Sequence, residues 1–229
     1  MPRTAISLDP RLTALADLCP ACRLFADIGT DHGRLGAYLL QVGRCSRALF
    51  TDISAPSLEK ARRLISTLSL TEHAGFFVGD GAMALPEEPE VAVIAGMGGE
   101  TISAIIEAGR SRLGNARLLL QPNVAQKELR LRLAKAGYAI RDERIVRDGR
   151  RLYLILVAEP GEMHLDDRMA TIGPILMRTR PEMLFDYVAF RLRVCQKALA
   201  GVVSAGGEDA SLSREIALWQ EVSQWQKQA

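Results

Sequence analysis

Three aspartates close three successive apolar runs: Asp27 after Leu24-Phe25-Ala26, Asp52 after Ala48-Leu49-Phe50-Thr51, and Asp80 in Gly75-Phe76-Phe77-Val78-Gly79-Asp80-Gly81. The first opens a heptapeptide, Asp27-Ile28-Gly29-Thr30-Asp31-His32-Gly33, whose glycines permit positive φ and close backbone approach. From Leu35 onward, Tyr38, Leu39 and Val42 recur at helical spacing, so the heptapeptide reads as a strand-to-helix turn. The first turn of such a helix offers unpaired N–H groups to a small anionic or polar ligand. Alone, the pattern fits a tight connection in an α/β fold equally well. Asp52, however, follows Gly33 by 19 residues, near the ~20-residue offset at which a carboxylate grips ribose hydroxyls. Three strands ending in Asp predict a row of acids along the carboxyl edge of one parallel sheet.

The elements that must position these groups follow in order. Residues 8–18 read as an amphipathic helix, with Leu12, Leu15 and Leu18 on one stripe. After Asp52, Pro56 lies near the first turn of a helix whose Leu58, Ala61, Leu64, Ile65 and Leu68 face inward. A fourth strand, 91–95, is apolar throughout, as burial on both faces requires, and ends in Gly96-Met97-Gly98-Gly99. A fifth, 116–120, delivers Gln121-Pro122-Asn123 to the same edge, with Pro122 holding Gln121 extended. Those two amides suit bidentate pairing with an adenine edge, or Asn123 caps a helix over 126–136. Strands over 138–146 and 151–157 join at Asp148-Gly149, a hairpin turn. Five βα units plus that hairpin predict seven strands rather than six parallel ones. Past Pro160-Gly161 the chain turns helical: 182–203 carries Leu184, Val188, Leu192, Cys195, Leu199 and Val202 on one stripe. Gly206-Gly207 breaks it before a second stripe of Leu212, Ile216, Trp219, Val222 and Trp225, so an antiparallel helical hairpin is expected, with both tryptophans sealing it. Residues 1–160 and 161–229 are read as two domains.

With 229 residues, 48% of them hydrophobic, the chain supports a substantial core. No apolar run reaches membrane-spanning length, and Met1-Pro2-Arg3-Thr4-Ala5 lacks the apolar stretch of a signal peptide, so the cytoplasm is expected. Cys19 and Cys22 form a Cys-x-x-Cys without a second ligand pair, so packing thiols are expected and no metal. The net charge of +2 hides an asymmetry: residues 110–153 hold 12 Lys or Arg against 4 acids, leaving the remainder acidic. Such a segment reads as a footprint for a phosphate backbone, or as a solvated helix face and charge-protected edge strand.

The ordered set Asp27-Ile28-Gly29-Thr30-Asp31-His32-Gly33, Thr51-Asp52-Ile53, Gly79-Asp80-Gly81, Gly96-Met97-Gly98-Gly99-Glu100-Thr101-Ile102 and Leu120-Gln121-Pro122-Asn123, continuing into Ile172-Gly173-Pro174-Ile175-Leu176, resembles the bacterial tRNA (adenine-22, N1)-methyltransferases. The resemblance covers roughly residues 8–203. It implies an α/β fold: a Rossmann-like class I methyltransferase sheet, parallel with a terminal antiparallel hairpin, plus a coiled-coil-like C-terminal helical hairpin that grips tRNA. It implies S-adenosylmethionine (SAM) as cofactor and N1 of a D-loop adenine as acceptor. The implied cofactor residues are Asp27, Gly29, Thr30, Asp31, His32, Gly33, Asp52, Ile53, Asp80, Gly81, Gly96 and Met97, with Arg11 at the mouth. Asp80 would meet the adenine amino edge of SAM. N1 carries an in-plane lone pair and no hydrogen, so catalysis needs alignment and electron-rich groups rather than a strong base. Asp31 is the first candidate for such a carboxylate, with Gln121 and Asn123 positioning the base; His32 takes a proton from N6 or hydrogen-bonds the loop. No Asn- or Asp-Pro-Pro follows strand four, and the Gly-rich backbone there leaves room for a ring edge. Arg34 and Gly36 depart from the family pattern, where an aromatic residue and Pro are common. A monomer is expected. Other readings stay open at this stage: methyl transfer to another RNA site or a small molecule, a dinucleotide dehydrogenase, whose pyrophosphate Asp31 would repel, and a non-catalytic RNA-binding module.

Overall fold

A computed structural model describes residues 6–225; the N-terminal five residues, read above for a signal peptide, lie outside the described residues. Seven strands form one sheet: β1 Cys22–Ile28, β2 Cys45–Asp52, β3 Ala74–Val78, β4 Val91–Met97, β5 Arg117–Pro122, β6 Tyr138–Asp148 and β7 Arg151–Pro160. The helices are α1 Pro10–Leu18, α2 Arg34–Gln41, α3 Ala55–Thr67, α4 Gly99–Ala108, α5 Arg110–Leu113, α6 Gln126–Lys135, α7 Asp167–Ile172, α8 Pro174–Thr179, α9 Met183–Ser204 and α10 Ala210–Gln224. The strand order is β3-β2-β1-β4-β5-β7-β6. β1 to β5 pair in parallel, β7 runs antiparallel to both β5 and β6, and so the reversal is confined to β7 while β6 shares the direction of the first five.

Alternation along the strands divides the core. Leu24, Ala26 and Ile28 point to the face covered by α4, α6 and the C-terminal helices, whereas Phe25 points with Phe50 and Val93 toward α1, α2 and α3. Trp219 and Tyr187 of the helical hairpin belong to the same apolar cluster as Leu154 and Leu156 of β7, so the hairpin and the sheet share one core. Trp219 is buried and meets Tyr187 edge-on, while the Trp225 ring lies under Arg168 and Arg180.

The short helices α7 and α8, flanking Ile172-Gly173-Pro174, carry no periodic signal of their own. A buried ion pair holds them: Arg130 Nε lies 2.8 Å from Glu143 Oε1, and its Nη1 donates to the carbonyls of Ala170 and Thr171. Glu143 Oε2 accepts from the N–H groups of Ile175 and Leu176 at the start of α8. A side chain at Gly173 would meet that carboxylate at 2.5 Å, and its φ of 114° is itself unfavourable to L residues. Cys19, Cys22 and Cys45 gather as free thiols at the amino edge of β1 and β2, opposite the acidic row.

Candidate active site

Gly29 and Gly33 both take positive φ, 73° and 64°, and the N–H groups of Gly29 and Thr30 donate to the Thr51 carbonyl, fastening the loop to β2. Thr30 Oγ1 accepts from Gly33 N–H at 2.9 Å. Asp27 is 8% exposed beneath this turn. Burial pushes its carboxyl up to about 6, the neighbouring Asp52 adds to the rise, and hydrogen bonds from Thr30 and the Gly36 backbone oppose it. Gly36 packs on Phe50, whose ring a Cβ would meet at 2.5 Å, which accounts for glycine at this departure from the family pattern. Arg34 donates to the Ser7 carbonyl at the cavity rim.

Two cavities flank the loop. One, of about 420 Å³, is lined by Asp27, Gly29, Thr30, Asp31, His32 and Gly33 together with Arg11, Gly96 and Met97. The other, of about 290 Å³, is lined by Asp52, Ile53, Asp80, Gly81, Thr101 and Ile105, and shares Gly29 and Met97 with the first. The Met97 methyl lies 2.0 Å from where a Gly29 Cβ would stand, so this thioether rests across the loop between the chambers. The structure thus gathers every residue expected to meet the cofactor around one divided cleft, with Asp27, Asp31, Asp52 and Asp80 among its lining. Asp52 spends one oxygen on the Ser54 N–H, at 2.7 Å.

Asp31 is differently placed from the role expected of it. Its carboxylate, 64% exposed, pairs with Lys60 at 2.9 Å and with His32 Nδ1 at 2.7 Å. The Lys60 ammonium holds this carboxyl below the usual carboxylate range. A charge so neutralised and solvated projects little field onto a reacting ring.

Gln121 and Asn123 also differ from the expected side-by-side pair. Gln121 is fully buried: its Oε1 accepts from Arg11 Nη1 at 2.9 Å, and its Nε2 donates to Asn123 Oδ1 at 3.0 Å. Asn123 Nδ2 donates to the Gly96 carbonyl at 2.8 Å, and Asn123 is exposed. Only Asn123 therefore presents polar atoms to a ligand. Asn123 is not the helix cap either; Ala125, at φ 57°, precedes α6. Gly96 sits at a bulge between β4 and β5 with φ 81°, which turns its carbonyl toward Asn123. The space at Gly99 is taken by the Ala125 carbonyl, 2.2 Å from an added Cβ, so this glycine serves close packing of α4 on α6 rather than room for a ring.

A third cavity, of about 470 Å³, adjoins the first through Arg11 and Gly96 and escapes sequence reading altogether. Asn123, Arg150, Arg151, Tyr153, Tyr187 and Phe190 line it, from the loop after β5, the hairpin turn, β7 and α9. The aromatic residues come from segments read only as strand and core stripe.

Folding also redistributes the basic segment. Arg117, Lys127, Arg130, Arg132, Arg141, Arg144 and Arg147 all form ion pairs, several with acids outside the segment: Glu107, Glu159, Asp167 and Asp186. Arg130 is buried in its pair, so not all twelve charges reach the surface. Arg150 and Arg151, at the hairpin tip beside the third cavity, form no ion pair among the described residues. No group of three or more metal-ligating side chains placed to hold an ion occurs among the described residues.

The profile of the family described as TrmK: tRNA (adenine(22)-N(1))-methyltransferase matches residues 25–225. The tRNA (adenine(22)-N(1))-methyltransferase of Bacillus subtilis is 36% identical over 159 residues, covering 69% of this chain and 67% of that protein. The crystal structure of the B. subtilis m1A22 tRNA methyltransferase aligns with a TM-score of 0.80 and 27% identity over 97% of this chain and 98% of its own. A Streptococcus pneumoniae structure in complex with S-adenosyl-L-methionine aligns with a TM-score of 0.85 and 27% identity over 95% of this chain and 100% of its own.

Proposed function

The chain belongs to the tRNA (adenine(22)-N(1))-methyltransferase family, and we propose that it moves the methyl group of SAM to N1 of adenine-22 in the D-loop of tRNA. The observation that carries this reading is the meeting of an acid-lined divided cleft and an aromatic cavity at Gly96 and Arg11. SAM supplies an electrophilic methyl group on a cationic sulfonium. Asp27, Asp52 and Asp80 bind it: Asp27 balances its positive charge, the free oxygen of Asp52 takes ribose hydroxyls, and Asp80 accepts from the adenine amino group. Ile53 and Ile105 supply apolar walls for the adenine ring. The acceptor N1 attacks through its own lone pair, so the protein's part is alignment and exclusion of water. Asn123 positions the base and Gln121 supports Asn123. N1 lies on the Watson–Crick edge, so the acceptor enters unpaired, at a cost of a few kcal/mol.

Residues 1–160 form the transferring unit in this reading and residues 161–229 a helical arm, whose Tyr187 and Phe190 wall the acceptor side. The protein acts as a cytoplasmic monomer; no helix among the described residues is long and apolar enough to cross a membrane. The test is incubation with labelled SAM and unmodified tRNA transcripts, mapping the product by mass spectrometry, with Asp27→Ala and Asn123→Ala alongside. One 1-methyladenosine in the D-loop, lost with Asp27→Ala and formed at a lower rate with Asn123→Ala, is expected. SAM binding without transfer to any transcript would overturn the acceptor assignment.

A further inference from the structure

We infer that the third cavity receives the acceptor adenine with its Hoogsteen edge on Asn123, and that Arg11, acting through Gln121, holds that amide in its orientation together with the Gly96 carbonyl. This rests on the adenine-N1 reading above. A guanidinium only donates hydrogen bonds. Its contact with Gln121 Oε1 therefore turns the Gln121 NH2 toward Asn123 Oδ1, which in turn aims the Asn123 NH2 at the Gly96 carbonyl. The relay runs through the buried Gln121 and is fixed at both ends, by the donor-only guanidinium of Arg11 and by the acceptor-only carbonyl of Gly96. Asn123 keeps one lone pair on Oδ1 and one N–H on Nδ2, and it is exposed at the cavity.

That leftover donor and acceptor match N7 and the N6 amino group of adenine, the pairing that Asn makes with this base. Guanine presents two acceptors on the same edge and is rejected by Oδ1. The arrangement also suits the reaction. An adenine held by N6 and N7 leaves N1 free of protein hydrogen bonds, with its lone pair available to the methyl group across the shared Gly96 boundary. Around the ring, Tyr153 and Phe190 give the stacking surface that unpaired bases need, and Arg11 lies 5.6 Å from the Tyr153 ring centre. Tyr187, 2% exposed, lies on the same wall. Arg150 and Arg151 stand at the mouth, placed for the flanking phosphates.

The experiment compares transfer to tRNA carrying adenine or 7-deazaadenine at position 22, assembled by ligation. The wild type is expected to lose about tenfold or more in kcat/KM when N7 is removed. Asn123→Ala is expected to start from the lower rate and show no N7 sensitivity, and it cancels any intrinsic change in ring basicity. Arg11→Ala should lower the N7 sensitivity, whereas Arg11→Lys, which keeps a donor-only group, should retain more of it. Equal N7 sensitivity in wild type and Asn123→Ala, or none in the wild type, overturns the inference while leaving N1 methylation standing. No transfer by the wild type to the adenine transcript removes both.

Discussion

Replacing Asp27 by Asn separates what the cofactor loop does for stability from what it does for binding. The carboxyl is 8% exposed, and burial lifts it from 3.8 to about 6. The unfolded chain loses this proton near the ordinary value and the folded protein near 6. Between those values the folded state holds more protons, so stability falls as pH rises. The whole window amounts to about 3 kcal/mol, and about 2 kcal/mol of it lies between pH 4.5 and 7.5. Asparagine has no such titration. In urea denaturation without cofactor, the unfolding free energy of Asp27→Asn minus that of the wild type should therefore rise by about 2 kcal/mol from pH 4.5 to 7.5. Binding moves the opposite way. A cationic cofactor favours the ionised carboxyl, so wild-type SAM affinity, measured by calorimetry, should fall as pH drops through about 6. The Asn variant should bind weakly at every pH. Parallel stability curves for the two proteins would refute the buried-charge argument, and wild-type SAM affinity in the variant would refute the role given to Asp27.

Three further outcomes are expected. Gly99→Ala forces a methyl group into the Ala125 carbonyl, 2.2 Å away, and should lower stability by about 1–3 kcal/mol in a thermal melt, with loss of activity only in proportion to unfolding. Arg130→Met strands the Glu143 carboxylate in the core and should destabilise by about 3–5 kcal/mol, whereas pairing it with Glu143→Leu should recover part of that loss in the same denaturation assay. Arg150→Ala with Arg151→Ala should weaken tRNA binding and lower the salt slope of the binding constant by about 2, with SAM affinity unchanged; an unaltered slope would place the phosphate contacts elsewhere.

Reading along the chain recovers the scaffold because its signals are local. The switch from strand to helix at 27–33, the apolar strand ending at Gly96 and the turn at Asp148-Gly149 each lie within a few neighbouring residues, and all appear where periodicity puts them. The acidic row follows, since strands that run in one direction end at one edge of the sheet. Strand limits are less legible: β3 stops at Val78, so Asp80 lies in the turn beyond it, and β5 runs on through Gln121 and Pro122.

What the tertiary structure alone decides is which polar groups are left over. Gln121 and Asn123 look equivalent in sequence, yet one is sealed beneath Arg11, 110 residues away, and the other faces a cavity. Asp31 looks like an available carboxylate until Lys60 arrives from α3. Arg130 counts as one of twelve charges for a nucleic acid until folding buries it against Glu143. The aromatic wall of the third cavity draws on β7 and α9, which no stretch of sequence places side by side. Secondary structure is set by neighbours in the chain and so is written in one dimension; hydrogen-bond partnership, burial and charge pairing are set by neighbours in space, and only the packed sheet with its helices determines those.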